Sequence, residues 1–187
     1  MLLIAPVGSI KSFSGVVLKD NIWTNQSDPY TINCYSLKRD VVYNLTLLKK
    51  NSLNYFNQCT DIITYDEPGQ LSRFTVIYVL LSVLYNCRLH LFTQVNEISH
   101  LPSITHLFRS ANWCEREIWD LFGIFFSNHP DLRRIISDYG FRGHPLRKDF
   151  PITGYLELQF SEQTDMLVYT KIELLQEYKN FHFINKN

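Results

Sequence analysis

Long hydrophobic runs are missing from this chain. The longest, Phe74 to Tyr85 (FTVIYVLLSVLY), has 12 residues and includes Thr75 and Ser82, against the ~20 that a helix needs to cross a bilayer. No direct membrane span is therefore expected. Net charge is missing as well: 18 Lys and Arg balance 18 Asp and Glu, which argues against nucleic acid or an anionic membrane surface as the main partner. C-x-x-C pairs are also lacking. Cys34, Cys59, Cys87 and Cys114 are scattered, with no histidine at zinc-site spacing, so packed free thiols in a reducing compartment are the expectation. No basic stretch precedes the mildly apolar Met1–Gly8 segment, so neither a secretory nor an Arg-rich transit leader is expected. Internal repeats and low-complexity tracts are absent too.

What is present suits one folding unit with a sizeable core: 187 residues fit a single domain with an appended arm. In Tyr35–Asn51, Leu37, Val41, Leu45 and Leu48 recur at helical spacing, with Ser36 placed as N-cap and Lys49 and Lys50 at the C-terminal end, which predicts an amphipathic helix. Cys59–Tyr65 reads as a first strand closed by the turn residues Asp66-Glu67-Pro68-Gly69. Phe74–Leu84 and Arg88–Val95 are rich in β-branched and aromatic residues, and Asn86 tolerates a tight turn, so a hairpin at the sheet's centre is predicted. Pro102 and Ser103 resemble a helix start and Asn112–Glu115 a second capping arrangement. One broken helix or two short ones should then cover Ser103–Phe122 and stop at Gly123. Beyond Gly123, six Pro and Gly residues between Pro130 and Gly154 leave no room for long regular elements. Leu156, Leu158 and Phe160 alternate with Glu157 and Gln159 as in a strand, while Ile172–Tyr178 suits a helical turn or an extended segment.

The reading is an α+β fold, a small mixed sheet with flanking helices followed by a long extended C-terminal arm. Its parts are an N-terminal segment over 1–20, the α+β domain over 21–123 and a loop-rich arm over 124–187. That arm is expected to gain structure only on binding.

Function should reside in the block Ala111–Gly154, dense in charge, aromatics and turn formers. On a helix, Arg116 and Asp120 stand at i, i+4 and can pair beside the aromatic face of Trp119 and Phe122. Downstream, Asp131-Leu132-Arg133-Arg134 and Leu146-Arg147-Lys148-Asp149 mix charges with apolar residues in loops. Guanidinium groups that pair bidentately with carboxylates, next to aromatic anchors, are the composition of a protein interface. The candidate interface residues are Glu115, Arg116, Glu117, Asp120, Asp131, Arg133, Arg134, Asp138, Arg147, Lys148 and Asp149. The plainer alternative is that these charges tie the loop to its own domain.

Enzymatic readings are weaker. A metal-dependent hydrolase could use His129, Asp131, His144 and Asp149, but no regular element fixes their spacing. Gly140 and Gly143 with nearby cations match neither phosphate-binding glycine motif. Cys114, beside Glu115, has the wrong neighbour for a nucleophile, since an adjacent carboxylate raises a thiol's pKa.

The segments EREIWDLFGI (Glu115–Ile124), HPDLRRI (His129–Ile135), DYGF (Asp138–Phe141) and GHPLRKDFP (Gly143–Pro151) together resemble the 30 kDa subunit family of respiratory complex I, the proton-pumping NADH:quinone oxidoreductase. Weaker similarity reaches upstream through the hairpin and downstream to Tyr178. Departures are Cys114, where the family more often has an aromatic residue, and Leu167–Lys171. The resemblance implies an α+β domain of the hydrophilic arm that docks on the 49 kDa quinone-site subunit and neighbouring hydrophilic-arm subunits. It implies no catalytic site and no bound cofactor in this chain, flavin and iron–sulfur clusters being expected in partner subunits, consistent with cysteines that lack cluster spacing. It further implies a peripheral position on the matrix side of the mitochondrial inner membrane. GHPLRKDFP is closer to mitochondrial and bacterial forms than to the plastid relative, and abundant Asn, Tyr, Phe and Ile suit an AT-rich organelle genome. The same fold in a membrane-bound hydrogenase or plastid-type complex remains a rival.

Overall fold

A computed structural model describes residues 24–28, 31–52, 54–176 and 178–179; the N-terminal segment 1–20 lies outside them. Strands β1 (Thr24–Asp28) and β2 (Thr31–Tyr35) precede a 3-10 turn at Lys38–Asp40 and helix α1 (Val41–Lys50). Three nine-residue strands follow, β3 (Gln58–Asp66), β4 (Phe74–Ser82) and β5 (Cys87–Val95). They join the first two in one sheet of order β1-β2-β5-β4-β3. The β2–β5 pair is parallel and the others antiparallel, so the sheet is mixed, and the β4–β5 hairpin lies inside it as the alternation implied. Asn86 makes the turn in a left-handed conformation, φ 49°, which asparagine tolerates better than most residues.

One face of the sheet is dry. Tyr78, Leu80, Leu89 and Leu91 point into it and meet Leu45 and Leu48 of α1 with Ala111 and Ile118 of helix α2 (Ala111–Phe122), all buried. Each such side chain contributes about 1.5–3 kcal/mol by leaving water. The opposite face, with Ile77, Val79, His90 and Phe92, is only half covered, as an antiparallel meander allows.

Two predicted starts are corrected. The first helix begins at Val41, not beside Ser36, because Thr31–Tyr35 pairs with Arg88–Phe92 of β5; Ser36 Oγ accepts from Asn44 Nδ2 at 2.7 Å and gives α1 no cap. No helix starts at Ser103. Leu101–Pro102 (β6) instead bridges in parallel to Phe126–Ser127 (β7), and a turn through Ile104–Phe108 leads to α2. Asn112–Glu115 lies within the first turns of α2. Gly123 ends α2 as expected, in the left-handed conformation at φ 76°.

The chain divides into two compact units, the first ending at Lys148, with 124–148 bound back onto α2 as described below. The second unit begins at Asp149 and carries a two-stranded hairpin, β8 (Leu156–Ser161) with β9 (Met166–Lys171). β8 is where the alternation placed it; β9 was not foreseen. Ile172–Gln176 forms no helix.

Candidate functional site

Asp120 occupies the inner face of the last turn of α2 and is fully buried. An isolated buried carboxylate is very costly, and the loop after Gly123 supplies what it lacks. The amides of Ile135, Ile136 and Ser137 donate to Oδ2 at 3.1, 2.7 and 2.9 Å, the Ser137 hydroxyl donates to Oδ1, and Arg134 Nη1 reaches Oδ1 at 2.8 Å. Burial alone would raise this carboxyl; the bonds from Ser137, Ile136 and Arg134 outweigh it and hold the group well below the usual range. Arg134 also donates to the Gly143 carbonyl at 2.8 Å, and the Asp120 carbonyl accepts from His144 Nδ1 at 3.0 Å. The predicted Arg116–Asp120 pair is thus replaced by Arg134–Asp120, fourteen positions apart.

A second strap follows. Leu146 N donates to Leu121 O at 3.1 Å, Arg147 Nε to Phe122 O at 2.7 Å, and Lys148 N to Asp66 Oδ2 at 2.8 Å. Arg147 and Arg73 each lie 5.3 Å from the centre of the Phe74 ring. Asp66, read in the sequence as a turn residue, is a buried anchor that also receives Arg73 at 2.6 and 2.7 Å. The strap closes over Gly123 tightly: a Cβ there would stand 2.5 Å from His144 Nε2 and 2.6 Å from Arg147 Nη2. Gly123→Ala therefore combines a left-handed alanine with a displaced strap and is expected to cost about 2 kcal/mol, measured as a lower urea midpoint at unchanged slope.

At the other end of α2, Glu115 is also fully buried. Ile104 N donates to Oε1 at 2.8 Å and Ser103 Oγ to Oε2 at 2.6 Å. These two bonds do not offset desolvation, and the carboxyl is pushed up to about 7. His129 Nε2 lies 3.8 Å from Oε2. That histidine donates through Nε2 to Asn112 O at 3.3 Å and accepts the Asp131 amide at Nδ1, 3.1 Å. Both ring nitrogens are satisfied in the neutral form, and burial lowers its pKa. The buried Tyr78 hydroxyl, raised in pKa by burial and by Glu115, has no hydrogen-bond partner among the described residues.

The eleven candidate residues are sorted by this geometry. Glu115, Asp120, Arg134 and Arg147 hold the loop and turns of their own domain, and Arg116 donates to Arg133 O at 3.3 Å while lying 5.2 Å from the Trp113 ring centre. Glu117, Asp131, Arg133, Asp138, Lys148 and Asp149 are exposed; Asp131 and Arg133 pair with each other at 2.8 Å. His129 and His144 bind different backbone carbonyls, and among the described residues no group of three His, Cys, Asp or Glu side chains converges as a metal site. Cys114 has its thiol pKa raised by burial and by Asp61. The four cysteines lie on β2, β3, β5 and α2.

Fold and straps together define a two-layer α+β domain whose charged loop is bolted to one helix. The description "Respiratory-chain NADH dehydrogenase, 30 Kd subunit" matches residues 35–156, and the chain belongs to that family. It is 45% identical to the mitochondrial iron-sulfur protein 3 of NADH dehydrogenase [ubiquinone] from Candida albicans, covering 86% of this chain and 56% of that protein. It is 47% identical to NADH-ubiquinone oxidoreductase subunit 9 from Reclinomonas americana, covering 74% and 68%. The chain thus spans little more than half the length of the first relative. A solved trypsin-resistant fragment (1–134) of Nqo5 superposes with TM-score 0.53 at 30% identity, covering 59% of this chain and 89% of the fragment. No helix among the described residues is long and apolar enough to cross a membrane.

Proposed function

We propose that this chain is a non-catalytic structural and assembly subunit in the hydrophilic arm of a proton-pumping NADH:ubiquinone oxidoreductase. It supports electron transfer to quinone indirectly, by holding the quinone-reducing module together. Its partners are the 49 kDa quinone-site subunit and neighbouring subunits of the arm, and its position is peripheral, on the matrix side of the mitochondrial inner membrane. Flavin and iron–sulfur clusters belong to partner subunits. Supporting this, the four cysteines lie on β2, β3, β5 and α2, without the close sequence spacing of cluster ligands.

The observation that carries the reading is the β8–β9 hairpin. Leu156, Leu158 and Phe160 stand across from Lys171, Tyr169 and Leu167, so one face is apolar apart from its lysine end, and these apolar side chains are 45–65% exposed. An isolated two-stranded hairpin is marginal in water, and an apolar face of this kind marks a protein contact. On the first unit, the exposed Asp131, Arg133 and Lys148 would add charge-assisted contacts of their own. Native purification in mild detergent, with mass spectrometry of the associated chains and an NADH:quinone assay, tests the proposal. Co-purification in one active assembly is expected, and Leu158→Asp with Phe160→Asp should lower the yield of that assembly by about tenfold or more. Recovery of a lone chain, or full assembly of the double variant, would overturn it. Partner identity in the same experiment separates a related hydrogenase or plastid-type complex.

A further inference from the structure

A cleft of about 670 Å³ opens at the end of the sheet where β2 runs into the 3-10 turn. Its apolar wall is the Tyr35–Phe92 pair, Cα partners in the parallel ladder with rings stacked at 4.9 Å, and Leu37 extends it at 44% exposure. Lys38 and Arg39 line the cleft, and among the described residues no carboxylate does. Arg39 leans on Asp40 at 3.4 Å with its side chain 78% exposed, and Glu97, beyond the rim, is held by Arg73. Among the described residues Lys38 pairs with no carboxylate, and the two cations give the mouth a positive rim.

Leu71 and Ile98 sit in the two loops next to cleft residues Ser72 and Asn96, at 99% and 98% exposure. Two large aliphatic side chains held in water beside such a cleft are unfavourable unless something covers them. A small anionic ligand within the cleft leaves both uncovered, whereas a polypeptide lying across it buries both.

We propose that this cleft is a docking site for an acidic–apolar peptide segment of a partner subunit. The segment places an apolar or aromatic side chain against Tyr35 and Phe92, an Asp or Glu at Lys38 and Arg39, and further apolar residues over Leu71 and Ile98. Aromatic stacking and desolvated aliphatic contact supply affinity, and the two cations set direction along the groove. The inference rests on the chain working inside an assembly.

The test uses the natively purified assembly with photoreactive benzoylphenylalanine in place of Leu71 or, separately, Ile98. Irradiation should join both positions to the same segment of one partner subunit, and that segment should contain Asp or Glu. Lys38→Glu with Arg39→Glu should cut the cross-linked yield by about tenfold, Lys38→Arg with Arg39→Lys should keep it, and reversing the partner's acidic residue should restore the first variant. Far-UV circular dichroism and the melting temperature of both variants should match the parent, since Lys38 and Arg39 are both exposed. Absence of a cross-link, a segment without acid, a lipid or small-molecule adduct, or a yield indifferent to charge reversal would each overturn the assignment. Failure of the chain to co-purify with any partner overturns this inference and the subunit reading together; co-purification without the cross-link removes the cleft alone.

Discussion

Asp120→Ala will release the loop that follows helix α2 and remove about 3–5 kcal/mol of stability. The carboxylate is fully buried and accepts from three consecutive amides, the Ser137 hydroxyl and Arg134. Alanine leaves that guanidinium and those amides without their acceptor, and each orphaned group costs more than its bond had contributed net. Asp120→Asn recovers only part of the loss, since one oxygen still faces the amides while its NH2 group opposes Arg134. The loss is a large share of the ~5–15 kcal/mol that holds a domain folded. Denaturant unfolding gives the size, and hydrogen exchange at Ile135, Ile136 and Ser137 gives the place; unchanged protection there would sink the claim. The wild type should mimic the variant in acid. A carboxyl whose folded pKa is depressed contributes stability that is present above its ordinary value near 3.8 and lost as pH falls below it. Because Arg134 and His144 depend on the same residue, the whole strap to Gly143 and His144 should loosen together, and partner association with it.

Elements governed by near-neighbour pattern were legible in the sequence. β3, β4 and β5 alternate or run apolar between turn residues, α2 ends at a glycine that takes the left-handed conformation, and β8 shows period two. β2 was hidden because its five residues are defined by a parallel partner 57 positions on, Thr31 with Arg88. Ser103 follows a proline and imitates a helix start, yet Pro102 pairs with Ser127 and frees Ser103 to donate to Glu115. The loop after Gly123 has the composition of an arm, and composition is blind to a carboxylate one turn upstream that demands five donors. So the block Ala111–Gly154 could be picked out as important, while the division between its internal and outward charges could not. Asp66 shows the same limit, its bond to Lys148 spanning 82 positions. The Tyr35–Phe92 cleft was invisible because its walls come from β2, β5 and two loops far apart in sequence.

Stability should fall as pH rises from about 4.5 to about 7, and Glu115→Gln should abolish most of that fall. The folded chain holds the Glu115 proton up to about 7 against an ordinary value of 4.5. Below 4.5 both folded and unfolded chains are protonated and no penalty exists. Between the two values the unfolded chain ionises while the folded one does not, and each pH unit removes about 1.4 kcal/mol. The full loss, roughly 3 kcal/mol, is in place once the pH passes the folded value. Glutamine keeps an acceptor for Ile104 N and a polar group for Ser103, so the variant should be folded and its stability flat over this window. The groups facing Glu115 set the background. Cys59 and Tyr78 have raised values and stay neutral throughout. His129 is lowered by burial, so its contribution runs the opposite way, gained as pH rises through the histidine range, and is common to both proteins. The wild-type-minus-variant difference in unfolding free energy, measured from pH 4 to 8, therefore isolates the carboxyl. A difference that stays constant with pH would mean that Glu115 is ionised in the fold. In that case His129 must turn its imidazolium to the carboxylate and surrender the Asp131 amide that Nδ1 now accepts, a rearrangement that nitrogen-15 shifts of the imidazole would reveal.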